Sequence, residues 1–84
     1  MFHVMIVDDD QAIRLRLRTN IDWEALGVSQ ITEATDGIEA LEKFEEHRPQ
    51  IILLDINLPH VDGLSVATEI LSRDAEAIVI IITG

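Results

Sequence analysis

Ile51-Ile52-Leu53-Leu54-Asp55-Ile56-Asn57-Leu58-Pro59-His60-Val61-Asp62-Gly63 is the stretch on which the fold turns. Four apolar residues without a polar interruption read as a short strand buried on both faces. An aspartate ends the run, and the Leu-Pro and Asp-Gly pairs beyond it mark a loop and the start of another element. The same order recurs at both ends of the chain. Val4-Met5-Ile6-Val7 runs into Asp8-Asp9-Asp10, and Ile78-Val79-Ile80-Ile81-Ile82 runs into Thr83-Gly84. If the three runs are parallel strands of one sheet, their polar ends meet at its carboxyl edge, where open α/β folds bind ligands. Crowded carboxylates repel unless a cation lies between them, and oxygen donors suit Mg²⁺. A metal-dependent phosphoryl site with an aspartate nucleophile fits this set.

The intervening segments read as helices. Residues 11–20 carry Ile13, Leu17 and then Ile21 at a spacing of four, and the aspartates before them can cap that helix. Residues 21–27 read as a turn or short helical extension ending at Gly27. Residues 28–34 are a second, more polar strand, expected at the sheet edge. Asp36-Gly37-Ile38-Glu39 looks like a capping box. It opens a helix to about residue 47, with Ile38, Leu41 and Phe44 on its apolar face and Pro49 as its stop. A last helix spans 64–71, with Leu64, Val66, Ala67, Ile70 and Leu71 apolar. The strands are expected at 3–7, 28–34, 51–54 and 78–82. Each strand-to-strand connection contains a helix, so the sheet should be parallel with right-handed crossovers.

Composition narrows the function classes. The 84 residues, 48% of them hydrophobic, allow one small domain with a core. Sixteen acidic against six basic residues give a formal charge of −10, which disfavours unaided binding to nucleic acid or an anionic membrane. There is no cysteine, hence no disulfide framework or thiolate metal site. No apolar run approaches the roughly 20 residues of a membrane span. Met1-Phe2-His3 lacks the basic region of a secretory signal, so the expected location is the cytoplasm.

Met5-Ile6-Val7-Asp8-Asp9-Asp10, the 53–63 stretch and Ile81-Ile82-Thr83-Gly84 together resemble the receiver domain of two-component response regulators. The separations match as well: 46 residues from Asp9 to Asp55 and 28 from Asp55 to Thr83. Ile21-Asp22-Trp23-Glu24 further resembles receivers joined to AraC-type DNA-binding domains. The resemblance implies a flavodoxin-like open parallel sheet with strand order 2-1-3-4, the chain covering about two-thirds of the family domain and ending at the fourth of five strands. It implies that Asp55 accepts a phosphoryl group from the phosphohistidine of a sensor histidine kinase. Asp8, Asp9, Asp55 and the backbone carbonyl of Asn57 would hold Mg²⁺, and the Thr83 hydroxyl would turn inward to bond the phosphate. Such a domain is a phosphoacceptor that assists its own phosphorylation and dephosphorylation rather than an enzyme. The lysine that the family carries after its fifth strand has no counterpart in these 84 residues, and Lys43 does not fall at its place.

Simpler roles compete for each residue. The Asp8–Asp10 run suits a helix cap, Thr83 a strand end, and Asp62 a cap on the next helix, with Gly63 supplying a special backbone angle. Arg14, Arg16 and Arg18 read as a solvated face, with kinase docking as the alternative. His60 reads as solvated, and Trp23 as a packing residue. Two other functions compete with the receiver. A haloacid-dehalogenase-like phosphatase would use Asp8, Asp10 and Thr83, but has no use for the Asp55–Pro59 motif. A fragment that only folds or assembles would not switch. The uncharged, β-branched run 78–82 at an open edge predicts a homodimer or larger assembly.

Overall fold

The computed structural model describes residues 1–82, so Thr83 and Gly84 lie outside the described residues. β1 (Phe2–Val7), β2 (Val28–Ala34), β3 (Ile51–Asp55) and β4 (Ile78–Ile82) form one parallel sheet in the order β2-β1-β3-β4. This is the order expected of the flavodoxin-like fold. α1 (Gln11–Asn20), α2 (Gly37–His47) and α3 (Gly63–Arg73) supply the crossovers. β1 is central, and Val4–Val7 are wholly buried.

Strand alternation divides the core in two. Met5, Val7, Ile52 and Leu54 point toward α2 and α3, where they meet Ala40, Phe44, Val66 and Ile70. Val4, Ile6 and Leu53 point to the other side, against Leu17 and Trp23. Only α1 covers that side among the described residues, and none of its residues is fully buried. Its stripe of Ile13, Leu17 and Ile21 is half-buried. Trp23 packs at the junction as expected and donates its indole N–H to the Leu17 carbonyl at 3.1 Å.

The caps follow the sequence. Asp10, Asp36 and Asp62 accept hydrogen bonds from the N–H groups of Ala12, Glu39 and Ser65. Glu39 completes its box one residue early, accepting from the Thr35 N–H at 2.6 Å. α2 ends on Arg48 in the left-handed region (φ 47°), immediately before the buried Pro49. On α2, Phe44 faces inward as expected, but Ile38, expected on the same face, is 52% exposed and Gly37 and Ala40 are buried instead. Of the apolar residues of α3, Val66 and Ile70 face inward, while Leu64 and Leu71 are 57% and 41% exposed.

Gly63 also differs from expectation. Gly27, not Gly63, is the described glycine at positive φ (85°). Gly63 is required by close approach: a Cβ there would lie 2.5 Å from the Asp55 carbonyl oxygen and 2.6 Å from Ile56 Cα. The start of α3 is thus pressed directly against the strand end that carries Asp55.

Candidate functional site

Register brings the acidic residues together. Val7 pairs with Leu54, so the next residues, Asp8 and Asp55, leave adjacent strands side by side. Carboxylate oxygens of Asp8, Asp9 and Asp55 lie within 4.8 Å of one another. Asp8 is buried, Asp55 half-buried and Asp9 exposed, so the cluster is a shallow acidic pocket open to solvent on one side.

Asp8 is the most constrained of the three. Its N–H donates to Ala34 O at 3.1 Å, its carbonyl accepts Arg14 Nη1 at 2.6 Å, and its Oδ1 accepts the Asp10 N–H at 2.9 Å. Burial pushes its carboxyl above the ordinary carboxylate range; the Asp10 N–H opposes that, and the charges of Asp55, Asp9 and Asp10 reinforce it. Asp55 Oδ1 accepts the Asn57 N–H at 3.0 Å, which fixes the carboxylate over the loop. The Asp8 and Asp55 oxygens not used in these bonds accept none among the described residues. Free oxygen donors beside a disfavoured carboxylate charge fit a small, hard divalent cation.

The loop beyond β3 is anchored from below by buried Leu58 and by the Gly63 N–H, which donates to Ile56 O at 3.0 Å. Asn57 is exposed, as is His60 (φ 70°), in keeping with a solvated role for the histidine. Asp10 spends its carboxylate on capping α1 and is absent from the cluster, contrary to what the phosphatase alternative needs. Lys43 is engaged elsewhere: its Nζ donates to Glu33 O at 2.6 Å. The expected switch residue Thr83 lies outside the described residues.

Of the three arginines of α1, Arg16 is exposed as expected, but Arg14 and Arg18 are not simply a solvated face. Arg14 Nε donates to Glu33 Oε1 at 3.0 Å and Arg18 Nη1 to Glu33 Oε2 at 2.6 Å. Burial raises the Glu33 carboxyl, but the hydrogen bonds and charges of Arg18 and Arg14 outweigh it and hold the group below its usual range. The i,i+4 spacing of two cations facing a glutamate on the edge strand was the available signal for this contact.

A four-stranded parallel sheet in 2-1-3-4 order with three carboxylates at its carboxyl edge defines a flavodoxin-like receiver. The model of the response regulator receiver domain family matches residues 4–84, and the chain belongs to that family. An uncharacterized response regulatory protein of Staphylococcus epidermidis is 35% identical over 80 residues, covering 95% of this chain and 32% of that protein. The chain therefore spans about a third of the length of the curated relatives it matches. Among solved structures, a two-component transcriptional regulator AraC from Clostridium phytofermentans superposes with a TM-score of 0.94 at 36% identity, over 100% of this chain and 68% of that one. This agrees with the AraC-type resemblance of residues 21–24. The CheX–CheY–BeF3–Mg²⁺ complex from Borrelia burgdorferi matches with a TM-score of 0.82 at 36% identity, over 98% of this chain and 61% of the other. The chain is a regulator's receiver, not a classical enzyme. Among the described residues, no helix is long and apolar enough to cross a membrane.

Proposed function

We propose that this receiver accepts a phosphoryl group on Asp55 from the phosphohistidine of a sensor histidine kinase in the cytoplasm. The observation that carries the reading is the convergence of Asp8, Asp9 and Asp55 within 4.8 Å, with Asp55 held at the strand end by the Asn57 N–H. The free Asp55 oxygen attacks phosphorus; the phosphorus–nitrogen bond breaks as the carboxylate–phosphorus bond forms, and the kinase histidine leaves. Asp8, Asp9, Asp55 and the Asn57 carbonyl would hold Mg²⁺, which neutralises charge on the transferred phosphoryl oxygens. Thr83 would then donate its hydroxyl to the phosphoryl group. The presence of Mg²⁺ in the Borrelia complex supports this choice of ion.

Residues 1–84 would form one incomplete receiver unit, a reading supported by the 68% coverage of the AraC-type neighbour. Binding to DNA would belong to other parts of a response regulator. The β4 edge supports self-association: among the described residues it pairs only with β3, and Ile78, Ile80 and Ile81 are exposed. Strand pairing between two copies would cover it.

The test is phosphorylation by a small-molecule phosphodonor with Mg²⁺, followed by chemical trapping and mapping of the acyl phosphate. The expected result is a single label on Asp55, lost in Asp55→Asn and without Mg²⁺. Label on Asp8 or Asp9, or label retained in Asp55→Asn, refutes the assignment.

A further inference from the structure

Asp9 is the exposed member of the acidic pocket, and its carboxylate accepts no hydrogen bond among the described residues. Its direction is set by the peptide plane that joins it to Asp8. The carbonyl of that plane is the atom gripped by Arg14 Nη1 at 2.6 Å. The Arg14 side chain is only 12% exposed, and its guanidinium is fixed in turn by Glu33. Glu33 is braced from two more directions, by Arg18 at its second carboxylate oxygen and by Lys43 at its carbonyl. β2 pairing sets Glu33 beside Ile6, two residues before Asp8. A continuous run of charge-assisted bonds thus leads from the sheet edge to the pocket.

We infer that Arg14, braced by Glu33, is a positioning residue that holds the Asp8–Asp9 peptide so that both carboxylates face Asp55. The inference rests on the reading of the pocket as a divalent-cation site. Its physical content is separable from charge. A guanidinium beside a cation site repels the cation, so electrostatics alone makes removal of Arg14 tighten binding. Loss of positioning makes the same removal weaken it. Groups that orient metal ligands from outside the coordination shell typically contribute about 10–100-fold in affinity.

The experiment measures Mn²⁺ affinity of the 84-residue chain by titration calorimetry and by the loss of the free Mn²⁺ paramagnetic resonance signal. Folded fraction is checked by circular dichroism. In Arg14→Met, which keeps much of the apolar stem and removes the charge, the Mn²⁺ dissociation constant should rise about tenfold. Arg14→Lys keeps the charge but replaces the rigid guanidinium fork, which bonds the Asp8 carbonyl and Glu33 through separate nitrogens, with a single flexible ammonium, and should also weaken binding severalfold. Folded Arg14→Met that binds Mn²⁺ as tightly as wild type, or more tightly, overturns the inference while leaving the pocket intact. If Arg14→Met does not fold, Arg14→Lys and Glu33→Gln are judged by the same criterion. Wild-type protein that binds no Mn²⁺, or binding that Asp9→Asn leaves unchanged, overturns the cation reading of the pocket and this inference with it.

Discussion

Gly63→Ala should be among the most damaging single-methyl additions in the molecule, and it should act on the phosphoacceptor strand. The added Cβ would sit 2.5 Å from the Asp55 carbonyl oxygen, 2.6 Å from Ile56 Cα and 3.0 Å from the Ile56 carbonyl oxygen. Ordinary contact begins near 3.4 Å, so the methyl intrudes by about 0.9 Å, and every atom it meets is backbone. No side-chain rotation relieves the clash. α3 must withdraw from β3, and the 3.0 Å bond from the Gly63 N–H to Ile56 O stretches with it.

Overpacking of this kind costs about 1–3 kcal/mol. Losing the hydrogen bond adds roughly 1 kcal/mol, and the reduced freedom of the unfolded chain returns about 0.4–1 kcal/mol. The net expectation is about 1–3.5 kcal/mol, centred a little above 2, or a fall in Tm on the order of 10–15 °C at the centre for a domain of this size. Gly27→Ala is the control. Gly27 has the positive φ of 85°, yet its added Cβ would meet only the Phe2 ring at 3.6 Å. Its cost should be near the roughly 1–2 kcal/mol of a left-handed non-glycine residue. Urea and thermal unfolding of both variants, with Asp55 labelling of the folded Gly63→Ala, make the comparison. Gly63→Ala no less stable than Gly27→Ala, with undiminished labelling, would refute the argument from close approach.

Asp8→Asn should raise Tm at neutral pH in the absence of divalent cation, because it removes a charge disfavoured by burial and by its acidic neighbours. The raised folded-state pKa of Asp8 gives a contribution that grows as pH falls through that pKa toward the unfolded value of 3.8, and the variant should lose this part of the pH dependence. Thermal melts from neutral to acid pH test both signs, and a lower Tm for the variant at neutral pH contradicts them. Ile80→Lys places a charge on an edge residue that is 48% exposed, so it should change monomer stability by only about 0.5–1 kcal/mol while shifting any assembly toward monomer. Light scattering over a range of concentrations reads the mass, and wild-type protein that is monomeric throughout removes the premise.

Much of this architecture was legible because polarity changes abruptly along the chain. Apolar runs ending in aspartate marked the strands and the acidic edge, and Asp10, Asp36 and Asp62 cap the helices that follow. Helix faces were less legible, because apolar character does not reveal direction. α2 approaches α3 and the loop before it so closely that Gly37 and Ala40 face the core, and a Cβ on Gly37 would lie 2.8 Å from Val66 Cγ2 and 2.7 Å from Val61 O. Larger Ile38 is displaced to the exposed side. Spacing alone favoured the bulky residue, whereas the interface selects the small ones. The contact of Arg14 with the Asp8 carbonyl was equally hidden, since a backbone acceptor leaves no mark on residue identity.

The site itself depends on the core more than on its own residues. Asp8 and Asp55 meet because Val7 lies opposite Leu54. That pairing is held by alternation on two faces: Met5 and Val7 pack with Ile52 and Leu54 on one, while Val4 and Ile6 pack with Leu53 on the other. A slip of one residue would send β3 side chains to the wrong faces and move Asp55 by about 3.3 Å along the strand axis, out of line with Asp8. The two apolar clusters therefore specify the separation of carboxylates that belong to neither cluster. Gly63 and Arg14 act on the same geometry from below and from the side, one by permitting close approach at Asp55 and the other by fixing the peptide that carries Asp9.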